Sequence, residues 1–259
     1  MSLMEIPPNT DDRSESPGRT PQYLQIRDHI ASRIEAGELL AQQKLPSERE
    51  LSEAFGTSRV TAREALLALE TEGFIYRLDR RGWFVCPPRV LYNPSRTESF
   101  MQYVSAQGRV PATELLSAEL TQASEWAAKH LGIEVGAPVY SIWRKRFIDG
   151  RPVLVEHIRV NAELFPNLLD ISLNRSLFDI MRQFYGVEIT RVSLNLYPAP
   201  LGERQARELQ VAPGTPGLYI CRANHDQHGR ITDVDQEYWR HDVLELTLEA
   251  HKQPPESAK

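Results

Sequence analysis

The chain has 259 residues, with 30 lysines and arginines, 35 aspartates and glutamates and a formal net charge of −5 at pH 7, a length that predicts more than one domain. It contains no run of eighteen apolar residues and no basic-then-apolar N-terminus, which argues against a membrane segment or secretory signal and predicts a cytoplasmic protein. Its two cysteines, Cys86 and Cys221, lack metal-type spacing and suit a reducing compartment.

The chain begins with a polar stretch and a first amphipathic helix. Residues 1–19 and 251–259 are polar and without periodicity, so we expect both tails to be disordered. Thr20 and Pro21 are typical of a cap followed by proline at the first helical position. The apolar face of this helix, which ends at Gly37, carries Tyr23, Ile26, Ile30 and Ile34.

Two short helices are predicted next. Ser47 and Glu50 form the S-x-x-E capping box of the first, and Gly56 provides its left-handed stop. Ser58 caps the second helix, which ends before Gly73. The buried stripe of this second helix follows the i, i+3, i+4, i+7 spacing and consists of Ala62, Ala65, Leu66 and Leu69.

The outer surface of the second helix carries cations and hydroxyl groups. Arg59 and Arg63 lie on one flank of the buried stripe, beside Ser58 and Thr61 at the helix start. Arginine at this end of a recognition helix is the usual reader of guanine in the major groove. The pattern therefore indicates a helix that meets double-stranded DNA.

An arginine-rich hairpin follows the second helix. Residues 74–76 and 83–85 are predicted to be the two strands, and Arg80 and Arg81 lie at the turn between them. Two capped helices and such a hairpin together predict a winged helix-turn-helix over residues 20–86. The alternative is a small helical domain with ordinary solvated arginines. Residues 20–88 hold nine basic and ten acidic side chains, so we expect binding to depend on local clustering and on dimerisation.

This region resembles the N-terminal domain of GntR-type bacterial transcription regulators. The resemblance lies in Leu45-Pro46-Ser47-Glu48-Arg49, Ser58-Arg59-x-Thr61-x-Arg63, Leu69-Glu70-x-Glu72-Gly73 and Arg81-Gly82-x-Phe84-Val85. It implies DNA contacts by Arg49, Ser58, Arg59, Thr61, Arg63, Arg81 and Gly82. Arg80 departs from the family, which usually has glycine there, and adds a further candidate phosphate contact.

Residues 87–97 contain three prolines and are predicted to be a linker to a second domain at 98–250. There the pattern alternates strands with short helices, and Asp149-Gly150 is typical of a hairpin turn. Strands joined by hairpins predict an antiparallel sheet with helices packed on it, which is an α+β fold. The predicted strands are Thr113–Leu120, Pro138–Ile148, Val153–Asn161, Glu188–Ala199, Gly217–His225 and Thr232–Tyr238. The predicted helices are Glu98–Gln107, Ala123–Leu131, Ser176–Tyr185 and Gly202–Leu209.

Three charged residues in this second domain are candidates for ligand binding. Arg144 and Arg146 are two apart on one strand, so their guanidinium groups point to the same face and can converge on one anion. Glu156 follows the hairpin and can lie opposite them. A structural ion pair and a ligand site are equally compatible with this spacing.

The second half is similar to the UTRA sensor domain of the HutC subfamily of GntR regulators, whose fold resembles chorismate lyase. The similarity lies in Ser99-Phe100, Arg144-x-Arg146, Asp149-Gly150-x-Pro152, Ser176-Leu177-Phe178 and Gly229-x-x-x-Asp233. It implies an effector pocket lined by Arg144, Arg146, Glu156, Ser176, Phe178 and Asp233. Members that sense sugar phosphates usually have a small hydroxyl residue where this chain has Met101.

Together these features predict a homodimeric transcription regulator that represses a catabolic operon. A small anionic or zwitterionic metabolite is expected to release this repressor from its operator. Histidine-pathway intermediates, sugar phosphates and phosphonates are all compatible with the subfamily. The alternative is a small-molecule-processing enzyme on the lyase-like fold, but no nucleophile or acid–base pair stands out. His225 and His228 flank a predicted hairpin tip, where exposed histidines are common, so no metal and no cofactor are expected.

Overall fold

A computed structural model describes residues 20–78, 80–96 and 98–249. The chain divides into two compact units between Pro88 and Arg89. The predicted tails, 1–19 and 251–259, lie outside the described residues. In the described part of the chain, no helix is both long and apolar enough to cross a bilayer.

The first unit contains three helices and a two-stranded antiparallel hairpin, as the sequence predicts. The capping box of Ser47 and Glu50 is formed, and Ser58 Oγ accepts a hydrogen bond from the Thr61 amide. The predicted stripe of the third helix is fully buried, and it packs against Ile26 and Ile30 of the first. In chain order the elements are α1 (Gln22–Glu35), α2 (Glu48–Ala54), α3 (Arg59–Thr71), β1 (Ile75–Leu78) and β2 (Gly82–Val85).

The start of α1 differs from the prediction. Pro21 is extended, with φ −50° and ψ 139°, and it occupies the cap position itself. Its carbonyl oxygen accepts hydrogen bonds from the amides of Leu24 and Gln25. Thr20 provides no side-chain cap; its carbonyl oxygen instead accepts a hydrogen bond from the side-chain amide of Gln25. The helix therefore begins one residue later than the Thr-Pro pattern indicates.

The second unit is built on a six-stranded sheet in which every neighbouring pair is antiparallel, with the order β4-β5-β6-β9-β8-β7. The predicted strands and helices are all present, with ends shifted by one or two residues. The strands are β3 (Val90–Tyr92), β4 (Pro111–Gln122), β5 (Pro138–Ile148), β6 (Arg151–Asn161), β7 (Ile189–Pro200), β8 (Pro216–Asp226), β9 (Ile231–Arg240) and β10 (Leu244–Leu246). The helices are α4 (Phe100–Ala106), α5 (Glu125–Leu131), α6 (Leu177–Tyr185) and α7 (Glu203–Leu209), with a 3-10 turn at Leu168–Asp170.

Strand β3 lies within the segment that the sequence predicts to be a linker. It pairs in parallel with β10, and the Val90 amide donates to the carbonyl oxygen of Val243. Val90 and Tyr92 are buried, while Leu91 between them is exposed. A strand of three residues flanked by prolines is too short to show periodicity, which is why the pattern does not reveal it.

Helices cover both faces of the six-stranded sheet. Side chains alternate along each strand, so even-numbered residues of β5 and β6 point to one face and odd-numbered residues to the other. Ile142 and Ile158 pack with α6, and Leu154 packs with α4. Val139 packs with α5, and Val155 packs with α7. Because Arg144, Arg146 and Glu156 are even-numbered, they lie on the face covered by α4 and α6.

One buried ion cluster joins several elements of this unit. The carboxylate of Asp242 accepts hydrogen bonds from Arg151, at the start of β6, and from Arg240, at the end of β9. Arg240 also donates to the carbonyl oxygen of Leu209 at the end of α7. Burial opposes ionisation of Asp242, but the two guanidinium groups outweigh it and hold the pKa of Asp242 well below its ordinary value.

We expect Asp242→Asn to lower the free energy of unfolding by about 3–5 kcal/mol, because two buried guanidinium groups lose their counter-ion. Asp170→Asn, at an exposed carboxylate of the same unit, should change it by less than about 0.5 kcal/mol. Urea denaturation followed by circular dichroism measures both. Equal midpoints for Asp242→Asn and the parent chain would show that the cluster does not stabilise the fold.

The same cluster predicts a pH dependence. A carboxyl group whose pKa is lower in the folded chain stabilises the fold above its unfolded pKa of about 3.9, and this stabilisation disappears as the pH falls through the folded value. We therefore expect the stability difference between the parent chain and Asp242→Asn to be constant near neutral pH and to shrink below about pH 4.

Candidate functional site

The exposed start of α3 presents the arginines that the sequence singles out. Arg59 and Arg63 are exposed, as is Ser58. The hydroxyl groups of Ser58 and Thr61 are 2.9 Å apart and share a hydrogen bond at the helix cap. Thr61 is half-buried, because it faces the helix cap. The two hydroxyls fix the first turn, and the two guanidinium groups are left on its surface.

Arg49 lies on the preceding helix, α2. Its Nη1 atom is 3.1 Å from Glu53 Oε1, and both side chains are more than half exposed. An exposed i, i+4 pair of this kind contributes only about 0.3–0.5 kcal/mol, so a phosphate can displace the glutamate at little cost. Arg49 is therefore available at the surface of the helix-turn-helix.

The wing turn has an arginine in the left-handed conformation. Arg80 has φ +58°, which explains why the family usually has glycine at this position. Gly82 has φ +100°, a value that side-chain-bearing residues rarely adopt. Arg81 is exposed, and its guanidinium carbon lies 5.8 Å from the centre of the Phe84 ring. Lys44 is a further exposed cation, and a Cβ on Gly82 would lie 3.3 Å from its Cε.

Sequence reasoning missed Lys44 because it is distant in the chain from the hairpin. A bridge between Lys44 and Phe84 brings the two segments together. Only the pairing of the segment before α2 with β2 reveals this neighbour, and no motif in the sequence signals it.

The second unit contains a cavity between the sheet and helices α4 and α6. It encloses about 590 Å³, including the part that opens to solvent. All six residues predicted for the effector pocket line it: Arg144, Arg146, Glu156, Ser176, Phe178 and Asp233. Other polar residues in its wall are Ser99, Tyr103, Arg222, Asn224, Asp235 and Glu237.

Glu156 is the anion on which the two predicted arginines converge. Its Oε1 atom accepts a hydrogen bond from Arg144 Nε and lies 3.0 Å from Arg146 Nη2. Burial disfavours the ionised form of Glu156, but the two guanidinium groups outweigh it and hold the pKa of Glu156 below its ordinary value. The sequence is compatible with either a structural ion pair or a ligand site. The structure contains the buried ion pair, and all three of its members lie in the wall of the cavity.

Arg144 also connects the sheet to the start of α6. Its Nη1 atom donates to the carbonyl oxygens of Leu173 and Arg175, at 3.3 and 3.1 Å. These contacts hold the segment that leads to Ser176, whose Oγ accepts a hydrogen bond from the Asp179 amide and caps the helix. Phe178, in the first turn, is half-buried at the cavity. A change at Arg144 can therefore reach α6 directly.

Helix α4 closes another side of the cavity. Phe100 lies against Arg146, with 5.1 Å between the guanidinium carbon and the ring centre. Arg146 Nη1 also donates to Thr113 Oγ1 on β4 at 2.6 Å. Met101 brings a thioether, and no hydroxyl, to the wall at the position where sugar-phosphate sensors of the resembled subfamily usually have a hydroxyl. The cavity is thus apolar at this point.

Strands β8 and β9 contribute a second group of charges, most of which sequence reasoning missed. Asp233 accepts hydrogen bonds from Asn224 Nδ2 and Thr232 Oγ1, both at 2.7 Å, and burial raises its pKa. Arg222 Nη2 is 2.7 Å from Glu237 Oε1. Residues two apart in a strand share a face of the sheet. This spacing is the sequence signal that could have identified the group, which consists of Asp233, Asp235 and Glu237 on β9 and of Arg222 and Asn224 on β8.

Two acceptor atoms in this group have no partner. Asn224 Oδ1 and Asp235 Oδ1 are buried and accept no hydrogen bond within the part of the chain that the structure describes. Burial, followed by the neighbouring Glu156 and Glu237, raises the pKa of Asp235 well above its ordinary value. A ligand that donates hydrogen bonds to such unpartnered buried oxygens gains binding free energy, because it removes the cost of leaving them unsatisfied.

The two histidines considered as a metal site differ from the expected exposed pair, because His225 is buried near the end of β8 and only His228 is exposed in the turn. Asp226 accepts hydrogen bonds from the His228 and Arg230 amides, and His225 lies within 3.2 Å of Arg191 Nη2 through both ring nitrogens. The described residues contain no cluster of three or more side chains suited to a metal ion.

Comparisons with known proteins match both units. The family described as bacterial regulatory proteins, gntR family, matches residues 22–85, and the UTRA domain matches residues 106–245. The HTH-type transcriptional repressor NagR of Bacillus subtilis is 31% identical over 222 residues, which are 86% of this chain and 91% of that protein.

Two further matches agree. The mannosyl-D-glycerate transport/metabolism system repressor MngR of Escherichia coli is 27% identical over 91% of this chain and 98% of its own length. The crystal structure of PhnF from Mycobacterium smegmatis has a TM-score of 0.63 and 26% identity, covering 88% of this chain and all of that one. NagR and MngR are repressors, and the chain belongs to the GntR family of bacterial transcription regulators, with a UTRA domain as its second unit.

Proposed function

We propose that the protein is a cytoplasmic repressor of a catabolic operon, released from its operator by a small anionic or zwitterionic metabolite. The observation that supports this most is the cavity of the UTRA domain, which has three arginines in its wall. Arginine binds carboxylate and phosphate groups by paired hydrogen bonds, and a cavity lined by a few convergent polar groups among apolar ones is typical of small-molecule sites. The names of the relatives NagR and MngR support repression, and that of MngR supports control of a metabolic operon.

We further propose that two copies of the chain act together on a pseudo-palindromic operator. The winged unit has nearly balanced charge, so general attraction to DNA is weak and one copy gives little affinity. Pairing two recognition helices adds their contacts and sets the spacing of the two half-sites. An effector that prefers the arrangement unsuited to the operator then lowers DNA affinity by its differential binding to the two states.

The proposed DNA contacts come from α2, α3 and the wing. Arg59 and Arg63 enter the major groove, where the hydroxyls of Ser58 and Thr61 assist at the helix start. The cations near the turn contact phosphates or the neighbouring minor groove. The full proposed set is Arg49, Ser58, Arg59, Thr61, Arg63, Arg80, Arg81 and Gly82, to which the geometry of the wing adds Lys44.

The proposed effector contacts are Arg144, Arg146, Glu156, Ser176, Phe178 and Asp233. The ion pair of Glu156 with two arginines leaves a local excess of one positive charge, which attracts an anionic group of the ligand. Arg144 links this ion pair to the loop before α6. We infer that a ligand which draws Arg144 toward itself shifts the start of α6, and that this shift is the first step of the response.

For DNA binding, we expect Arg59→Ala and Arg63→Ala each to weaken operator affinity at least about tenfold, because each loss removes a base or phosphate contact of about 1–3 kcal/mol. The control is Arg182→Ala, which removes an exposed arginine from α6 in the other unit. Fluorescence anisotropy with a duplex from the chain's own promoter measures affinity at several salt concentrations. Full affinity in both α3 variants would refute the proposed recognition helix.

For the effector response, we expect Arg146→Ala to raise at least about tenfold the metabolite concentration that releases operator DNA, since a charge-assisted contact contributes about 1.5–3 kcal/mol. Arg207→Ala removes an exposed arginine on the opposite face of the sheet and should leave that concentration unchanged. Small metabolites that raise the melting temperature are tested for release of labelled operator. An unchanged release concentration in Arg146→Ala would contradict the proposed pocket.

A further inference from the structure

We infer that the effector is a zwitterion, whose ammonium group lies against Asp235 and Asn224 while its anionic group faces Arg144 and Arg146. This inference rests on the proposed function of the cavity and narrows the ligand class from anions in general to molecules that carry both charges. It also adds Asp235 and Asn224 to the residues that determine effector specificity.

The charge balance of the cavity wall carries the first step. The wall contains three arginines, Arg144, Arg146 and Arg222, and four carboxyl groups, Glu156, Asp233, Asp235 and Glu237. Glu156 pairs with two of the arginines and Glu237 pairs with the third. The remaining two, Asp233 and Asp235, form no ion pair with another described residue, and burial raises the pKa of both, so their ionised forms are disfavoured until a cation reaches them.

Asp235 is the carboxyl group whose compensation is incomplete, because burial and the neighbouring Glu156 and Glu237 raise its pKa more than Arg222 and Arg144 lower it. Glu156 and Glu237 have arginine partners, and Asp233 accepts hydrogen bonds from Asn224 and Thr232. Asp235 forms no ion pair with another described residue, and its Oδ1 atom accepts no hydrogen bond there. Its side chain is buried in the cavity wall. The ionised form of Asp235 therefore becomes favourable only when a cation or a hydrogen-bond donor reaches it.

Asn224 provides a second acceptor at the same place. Its Nδ2 atom donates to Asp233, which fixes the orientation of the amide and leaves Oδ1 without a donor. In the register of β8 and β9, Asn224 lies opposite Asp233, and Asp235 lies opposite Arg222. Asn224 and Asp235 are therefore diagonal neighbours, which lie roughly 7–8 Å apart in such a ladder, with their Cβ atoms somewhat closer. One ammonium group between them, with three N–H donors, can satisfy both oxygens.

The guanidinium groups next to this position carry the complementary charge, because Asp235 is a diagonal neighbour of Glu156 in the register of β6 and β9. Two guanidinium groups share one carboxylate there, which leaves a local charge of about +1. Beside them, Asp235 brings a charge of about −1 once an ammonium group favours its ionised form. A small ligand with an anionic and an ammonium group complements both positions, whereas the deaminated anion leaves the Oδ1 atoms of Asp235 and Asn224 without a donor. We therefore expect the cavity to select for the amine.

The test compares matched pairs of probes that differ only in the amine. These are 2-aminoethyl phosphate with ethyl phosphate, β-alanine with propionate, and γ-aminobutyrate with butyrate. Thermal shift and calorimetry with the full chain measure binding. We expect the amine-bearing member of at least one pair to bind about tenfold or more tightly than its partner. If the plain anion binds equally or better in every pair, or if no amine-bearing probe binds, the inference is rejected.

Two variants locate the selectivity. Asp235→Asn should weaken binding of the amine-bearing probe at least about tenfold and leave binding of the plain anion unchanged or tighter. Without ligand, the melting temperature should stay the same or rise, because the substitution removes an unpaired buried carboxyl group; a merely structural role would instead lower it. Asn224→Ala removes the second acceptor, and it is the variant to test if Asp235→Asn does not fold. Asp170→Asn, an exposed carboxylate outside the cavity wall, is the charge-matched control.

The two proposals fail differently. If a plain anion releases the operator and Asp235→Asn retains the selectivity of the parent chain, the zwitterion inference fails while the proposed repressor function remains. If Arg59→Ala and Arg63→Ala bind the operator normally, the proposed function fails whatever the cavity binds.

Discussion

The second unit depends on one constraint, which is that charged side chains on the inner face of an antiparallel sheet must be compensated. Alternation along β5, β6, β8 and β9 places arginines and carboxyl groups on the face covered by α4 and α6. Taking such groups out of water costs several kcal/mol each unless they are paired. Among the described residues, Glu156 and Glu237 form ion pairs with arginines, whereas Asp235 forms none and its Oδ1 atom accepts no hydrogen bond. The incomplete pairing is what makes this face a candidate binding site rather than an ordinary core.

The same charges connect the cavity to a helix. Arg144 pairs with Glu156 on the sheet and donates to two backbone carbonyl oxygens before α6. A ligand that competes for this guanidinium group changes both contacts at once. A shift of this segment is the step that the proposed function needs, because coupling between an effector and DNA binding requires an element whose equilibrium both ligands bias. The winged unit has little charge excess of its own, so the proposed affinity for DNA depends on how its contacts are arranged.

The sequence predicts much of the fold because its local signals agree. Ser47, Glu50 and Ser58 form the predicted caps, and the Asp149-Gly150 pair forms the predicted turn, with both residues at positive φ. Strand β3 was missed because three residues carry no readable period, and Asp235 and Asn224 were missed because two-residue spacing also fits an ordinary strand. Only the register of β6, β8 and β9 shows that these residues meet Glu156 at one cavity. Long-range pairing of this kind is not encoded in any local motif.

The central claim, that a small molecule bound in the UTRA cavity controls DNA binding, is tested most directly by locating the ligand. A metabolite that releases the operator is co-crystallised with the full chain. We expect its atoms within hydrogen-bond distance of Arg146 and of Asp235, inside the cavity between the sheet and α6. A ligand found elsewhere on the protein, with this cavity empty while the operator is released, would contradict the claim.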